Sequence, residues 1–159
     1  MGLDMYLYLR KSESCGRWDN DYEQKKVGFY PEELKDFAEE ISKENFMSKE
    51  TMYQVGYWRK ENAIHKWFVD NCADGVDECQ QIYVSVEKAK ELRNLCNRVL
   101  ENHELAKELL PTQGGFFFGG LEYDEWYFSG LKYTKELLDK VIEFVDTQDN
   151  YDIFYQASW

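Results

Sequence analysis

The chain is poor in residues that bind metals, and it has no long apolar run. Its four cysteines include no Cys-x-x-Cys pair, and neither of its two histidines lies three to five residues from a cysteine. A structural zinc site needs four ligands at short paired spacings, so we predict no metal site and no cofactor. The absence of about eighteen consecutive apolar residues excludes a transmembrane helix. Because no secretion signal opens the sequence, we expect a cytoplasmic protein with reduced thiols.

Positive charge is also scarce. Nineteen Lys and Arg residues against 31 Asp and Glu residues give a formal net charge of -12. Such a surface repels nucleic acids and anionic membranes, so neither is an expected partner. Two other classes of partner stay open: small anions held by local basic groups, and cationic proteins that normally hold DNA.

The spacing of apolar residues predicts both strands and helices. Alternating patterns predict strands at 2–10, 51–57, 81–84 and 151–159. Helical patterns predict one helix that begins at Pro31, one at 57–72 and one at 133–145. A further long helix is predicted to begin after an N-cap at Ser85, with an apolar stripe that extends to Leu100. Another turn or two is predicted to follow as far as Leu110, where Pro111 ends it. Residues 114–120 are predicted to form a further strand, and residues 11–26 a surface loop or hairpin.

These elements predict one α+β domain spanning residues 1–159. The length suits a single domain, and 43% hydrophobic residues can build a substantial core. Strands lie at both ends and in the middle of the chain, without strict strand–helix alternation. We therefore expect a mostly antiparallel sheet with several amphipathic helices packed against it.

The predicted helix at 57–72 carries an unusual polar set on its apolar side. The candidate ligand-binding residues here are Trp58, Arg59, Asn62, His65 and Lys66. Convergent polar groups on an apolar wall are typical of small-molecule sites. Arg59 suits a phosphate or carboxylate, Asn62 suits an amide or base edge, and His65 suits a hydrogen bond to the ligand. The alternative is that Asn62 and His65 are satisfied core residues that fix the helix to a neighbour.

A second candidate segment is rich in aromatic residues and glycine. Seven of the fifteen residues from 114 to 128 are aromatic, and four are glycine. Aromatic rings stack on purines or nicotinamides, and glycine lets the backbone approach a ligand. The candidate ligand-binding residues of this segment are Gln113, Phe116, Phe118, Tyr123, Asp124 and Trp126. The alternative is a central strand covered on both faces, beside an aromatic protein interface.

Several long motifs resemble those of a family of small bacteriophage and prophage proteins. The similar segments are VGYWRKENAIHKWF at 55–68, LPTQ at 110–113, GFFFG at 115–119 and YDEWYF at 123–128. The match runs from end to end except over residues 11–48. Some family members carry a phosphoglycerate kinase label, which this chain does not support, because it is too short for that enzyme and lacks its glycine pattern. The resemblance implies a phage protein that acts in the bacterial cytoplasm, and by analogy one that counters host defences.

Three functions follow, in order of preference. The first is a binding protein, without catalytic residues, that sequesters a small anionic or nucleotide-like molecule such as a defence-signalling nucleotide. The second is an acidic protein that inhibits a host DNA-binding or defence protein. The third is a small metal-free nucleotide hydrolase or transferase, although the sequence has no Gly-x-Ser-x-Gly, P-loop or His-Glu-x-x-His motif. The aromatic content also favours a homo-oligomer.

Overall fold

Five strands form one antiparallel sheet in the computed structural model, which describes residues 2–14, 34, 37, 39–44 and 48–159. The strands are β1 (Asp4–Ser14), β2 (Glu39–Glu44), β3 (Ser48–Arg59), β4 (Ile82–Val84) and β5 (Tyr151–Ser158). Their order is β2-β3-β1-β5-β4, and each neighbouring pair is antiparallel. The predicted α+β fold with an antiparallel sheet is confirmed.

The helices are α1 (Asn62–Cys72), α2 (Val86–Glu101), the short α3 (Ala106–Leu109) and α4 (Glu125–Thr147). Ser85 caps α2 by accepting from the backbone N–H of Lys88, as the sequence predicts. The predicted stop at Pro111 is confirmed, since α3 ends at Leu109. Within the described residues, no helix is both long and apolar enough to cross a bilayer.

The alternating sequence of β1 decides which face of the sheet is buried. Its fully buried side chains, with that of the residue just before the strand, are Leu3, Met5, Leu7 and Leu9. Tyr155 of β5 lies opposite Leu7, and the Phe68 ring of α1 stacks on Tyr155 at 4.1 Å between centroids. Leu137 of α4 lies over Gly56 of β3, which also pairs with Leu7. Helices α1 and α4 therefore cover the same face of the sheet.

The helix predicted at 57–72 starts later than the sequence pattern indicates. Residues 57–59 remain in β3, where Tyr57 and Trp58 pair with β1. Lys60 then adopts φ 62°, which breaks the strand before α1 begins at Asn62. The prediction that Trp58 and Arg59 lie on this helix is wrong, because pairing with β1 holds them in the sheet.

Three other predicted elements need correction. Residues 114–120 form turns and irregular backbone, not a strand, because three adjacent Phe residues do not fit a face that alternates. The prediction of a helix that begins at Pro31 is wrong for residues 39–44, because they form strand β2 and pair with β3. Residues 11–14 continue β1 and do not belong to a loop, while residues 15–26 and Pro31 lie outside the described residues.

The close approach of α4 to the sheet depends on a glycine. A Cβ added to Gly56 would lie 2.3 Å from a Leu137 methyl carbon and 3.3 Å from Leu7 Cβ. We expect Gly56→Ala to lower the free energy of unfolding by about 1–3 kcal/mol, because the added methyl overpacks the core. Urea unfolding measures this loss.

Gly120 provides the matched control, because a Cβ there meets no atom within 4 Å. Gly120→Ala should change the free energy of unfolding by less than about 0.5 kcal/mol. Equal effects of the two substitutions would contradict the packing account of Gly56.

Candidate functional site

A cleft of about 290 Å³ opens where β3 ends, between the start of α1 and the start of α4. Its walls are Arg59, Lys60, Glu61, Asn62, Ala63, Thr112, Gly119, Gly120, Glu122, Asp124, Trp126 and Tyr127. A second hollow of about 290 Å³ adjoins it and is lined by Tyr57, Trp58, Ser129, Gly130 and Tyr133. Arg59, Glu61 and Trp126 line both spaces. These three side chains are therefore the shared wall of the site.

Glu61 is the carboxylate at the centre of this shared wall. It occupies the N-cap position of α1, yet its side chain makes no capping hydrogen bond. The carboxylate lies against Gly130 of α4, where an added Cβ would be 2.2 Å from Oε2 and 2.5 Å from Oε1. Burial raises the pKa of Glu61 to about 7, and the nearby charge of Asp124 adds to the shift. Glu61 is thus poised to exchange a proton near neutral pH.

Asp124 is a second carboxylate in the cleft, but it has a structural role. Its Oδ1 accepts the backbone N–H of Tyr127 at 3.1 Å and so caps α4. The Tyr127 hydroxyl donates to the Leu110 carbonyl at 2.8 Å, and burial raises the pKa of this phenol. These bonds fix the start of α4, and with it Trp126, against the segment that follows α3.

The basic side chains of the cleft are only weakly paired. Arg59 is exposed, and among the described residues its ion-pair partner is Asp4, with Nε and Oδ1 3.9 Å apart. Lys60 is exposed and forms no ion pair with another described residue. The left-handed backbone of Lys60 is supported by its N–H, which donates to the Leu3 carbonyl at 2.8 Å. The cleft therefore offers available charges of both signs.

Trp126 is the exposed aromatic residue of the cleft. It lies in the first turn of α4 with 82% of its surface accessible. Large exposed aromatic side chains at a cleft are typical of binding sites. The indole therefore presents a flat face on which a planar ligand can stack.

Asn62 forms the floor of the cleft and is fully engaged with the protein. Its Nδ2 donates to the carbonyls of Phe118 and Gly120 at 3.0 and 2.8 Å. Its Oδ1 accepts the backbone N–H of Gln113 at 2.9 Å. Asn62 is 3% exposed. Its three bonds therefore fit the alternative reading of the sequence, in which Asn62 is a satisfied core residue that fixes α1 to a neighbouring segment.

His65 lies in the core beneath the cleft. Its Nε2 donates to Asp77 Oδ2 at 3.0 Å, and its Nδ1 lies 2.8 Å from the Tyr155 hydroxyl. The Phe118 ring packs edge-on against the imidazole at 5.2 Å between centroids. With 1% of its surface exposed, His65 joins α1 to β5 and does not line the cleft.

Six of the eleven predicted residues line neither the cleft nor the hollow, and these are His65, Lys66, Gln113, Phe116, Phe118 and Tyr123. Lys66 pairs with Asp70 on the outer side of α1. Phe116 is 96% exposed and lies outside both lined spaces. The Tyr123 hydroxyl accepts from the backbone N–H of Thr112 at 3.2 Å and holds the loop. The cleft and the adjoining hollow bring together five of the predicted residues, which are Trp58, Arg59, Asn62, Asp124 and Trp126.

Sequence reasoning missed Glu61, Lys60 and Gly130. Glu61 and Lys60 sit inside the predicted helix, where charged residues ordinarily form a solvated face. One feature of the sequence could have pointed to the site. Gly130 lies beside an amphipathic helical pattern, and a glycine in such a place often allows another group to pack closely against the helix.

Family models, curated proteins and solved structures give no match to this chain. In the part of the chain that the structure describes, no group of three His, Cys, Asp or Glu side chains is placed to hold a metal ion. Any functional assignment therefore depends on the geometry of the cleft.

The loop that walls the cleft should depend on Asn62. We expect Asn62→Ala to lower the free energy of unfolding by about 2–4 kcal/mol, because it leaves buried backbone groups without partners. Thermal or urea unfolding measures the loss. Lys66→Ala, four residues along α1 and paired only with exposed Asp70, is the control and should change stability by less than about 0.5 kcal/mol.

The charge of Glu61 should destabilise the fold above neutral pH. Its folded-state pKa of about 7 exceeds the ordinary value of 4.5, so the folded state binds more protons between these values. Stability contributed by this group is therefore lost as pH rises from 4.5 through 7. We expect Glu61→Gln to raise the melting temperature relative to the unsubstituted protein at pH 8 but not at pH 5. A difference in melting temperature between the two proteins that is the same at pH 5 and pH 8 would contradict this account.

Proposed function

We propose that this protein binds a small nucleotide-like molecule in the cleft beside Trp126. The observation that carries the proposal is the combination of one highly exposed indole with available charges of both signs. A planar base would stack on Trp126, which contributes about 1–3 kcal/mol per base in other proteins. Arg59 and Lys60 would bind the anionic end of the same ligand.

The size of the cleft supports a ligand of modest dimensions. Its volume of about 290 Å³ lies just below the usual range for small-molecule sites, roughly 300–1,000 Å³. The adjoining hollow behind Trp126 offers room for a second group of the ligand. A mononucleotide, or one half of a dinucleotide signal, suits this space.

The biological role follows from the sequence resemblance alone. A phage protein that binds a nucleotide tightly would sequester a signal on which a host defence depends. In this proposal the ligand is held unchanged, and the protein acts by its concentration and affinity.

A second candidate function is hydrolysis or group transfer on the same ligand. The observation that favours it is the Glu61 carboxyl, which lines both spaces and forms no ion pair with another described residue. Burial raises the pKa of this group to about 7, which suits proton transfer at neutral pH. Incubation of the protein with each bound nucleotide, followed by chromatography, distinguishes the two. Recovery of unchanged ligand supports binding, and a product whose formation stops in Glu61→Gln supports the enzyme.

Binding should be visible as stabilisation by nucleotides. We expect at least one member of a panel of mononucleotides and cyclic dinucleotides to stabilise the protein by about 2.7 kcal/mol at a hundred times its dissociation constant. Trp126→Ala should weaken that binding by roughly tenfold or more, since it removes the stacking surface.

Phe116→Ala is the matched control, because Phe116 is a highly exposed aromatic residue that lines neither space. Its removal should leave the affinity unchanged. The proposed function would fail if no nucleotide stabilised the protein, or if Phe116→Ala weakened binding as much as Trp126→Ala.

A further inference from the structure

Glu61 is a carboxylate for which the fold has no evident use. Although Glu61 occupies the N-cap position of α1, its side chain does not cap the helix and forms no hydrogen bond or ion pair with another described residue. Among the described side chains, the fully buried polar atoms without a partner are the ε-nitrogens of Arg10 and Arg93, so both Glu61 oxygens keep some contact with solvent. A half-buried carboxylate destabilises a protein unless something pairs with it, which makes Glu61 a candidate for ligand recognition.

The position of this carboxylate is fixed by the helix that faces it. Both oxygens lie within 2.5 Å of the place where Gly130 would carry a Cβ, so any other residue at 130 would displace them. Helix interiors ordinarily disfavour glycine by about 1 kcal/mol relative to alanine. The glycine therefore makes room for a carboxylate that the fold itself does not need.

The neighbouring groups define what kind of ligand would meet Glu61. Trp126 lines the same two spaces as Glu61, so a ring stacked on the indole would present its edge near the carboxylate. The charged and titratable groups that line the two spaces with Glu61 are Tyr57, Arg59, Lys60, Glu122, Asp124, Tyr127 and Tyr133. Of these, Asp124 already caps α4, and Arg59 and Lys60 suit the anionic end of the ligand.

An ionised carboxylate only accepts hydrogen bonds, and its two oxygens match two parallel N–H donors. Among the nucleobases, guanine presents such a pair, at N1 and the N2 amino group. Adenine and cytosine present a donor beside an acceptor, and uracil presents one donor between two acceptors. We infer that the ligand is a guanine nucleotide whose N1–H and N2–H donate to the two oxygens of Glu61 while the base stacks on Trp126.

This inference rests on the proposed nucleotide-binding function and adds a base preference to it. Calorimetry at pH 8 with GMP, IMP and AMP tests it directly. GMP should bind at least about tenfold more tightly than AMP. The reason is that losing a hydrogen bond to a charged group lowers the affinity of a ligand by roughly 10- to 100-fold. IMP, which keeps N1–H but lacks the N2 amino group, should lie between them.

The decisive variant is Glu61→Gln, which replaces an acceptor pair with one acceptor and one donor. It should weaken the binding of GMP by about tenfold or more. AMP should then bind as tightly as GMP or more tightly, because the amide offers one donor and one acceptor to the adenine edge. Glu122→Gln removes a charge from the same cleft without touching the acceptor pair, and it should leave the GMP-to-AMP ratio unchanged. Melting curves confirm that each variant is folded.

Gly130→Ala offers an independent variant that keeps the carboxylate but moves it. It should preserve or raise the melting temperature, through better helix propensity, while reducing the preference for GMP over AMP. A Gly130→Ala protein that kept the full preference would overturn the placement of the base against Glu61.

Acidification gives a further readout. Protonated Glu61 carries a donor that opposes a guanine N–H, so GMP binding should weaken as pH falls through about 7. The GMP phosphate also titrates in this range, but it does so equally with Glu61→Gln. On acidification, GMP binding should weaken more in the unsubstituted protein than in Glu61→Gln. Identical pH profiles of the two proteins would overturn the inference.

The outcomes separate this inference from the function on which it rests. If GMP and AMP bind equally well and Glu61→Gln leaves their ratio unchanged, nucleotide binding stands and the guanine assignment fails. If L-arginine, whose guanidinium presents the same pair of donors, competes as strongly as GMP, the assignment also fails. If none of the nucleotides binds, both the proposed function and this inference fail.

Discussion

The cleft depends on three hydrogen bonds made by one buried side chain. Asn62, at the start of α1, holds the carbonyls of Phe118 and Gly120 and the backbone N–H of Gln113. These bonds replace the strand pairing that an aromatic and glycine-rich segment would otherwise need for its backbone groups. They bring the loop after α3 against the end of β3. Together with the bond from Thr112 to Tyr123, they fix the loop that walls the cleft.

The same region carries an unfavourable feature that the rest of the fold tolerates. A carboxylate with a pKa near 7 sits half-buried against Gly130, next to the Asp124 cap. Both the burial of charge and the helical glycine lower stability, and neither improves the packing of the core. Natural proteins keep such local conflicts mainly where function requires them. Such a conflict marks Glu61, and not the buried His65, as the candidate functional residue.

Most of the architecture could be predicted from the sequence, because strict alternation marks β1 and β5 and apolar spacing marks α2 and α4. The errors arose where strand pairing overrides local pattern. Residues 57–59 fit a helical wheel, yet pairing with β1, far away in the chain, keeps them in β3. Residues 39–44 became a strand because they pair with the neighbouring strand β3 as one arm of a hairpin, where Glu44 lies opposite Lys49. The apolar spacing within either segment does not report its pairing partner.

The candidate site was predictable only in part, for a related reason. Arg59, Asp124 and Trp126 were chosen for their chemistry, and they line one cleft because β3 and α4 meet there. His65 was chosen for the same reason, but its ring lies between Asp77 and Tyr155 in the core. Glu61 looked like an ordinary surface acid, since its burial comes from a residue sixty-nine positions away, Gly130.

The most direct test of the account is to observe the tryptophan indole N–H signals by NMR while GMP is added. Four of the five tryptophans, Trp58, Trp67, Trp126 and Trp159, lie among the described residues and report on different places in the fold. Trp126 is expected to show the largest saturable shift, and Trp67 and Trp159, which lie outside the cleft, little change. A saturable shift centred on Trp159 or Trp67, with Trp126 unaffected, would contradict the claim that this cleft is the binding site.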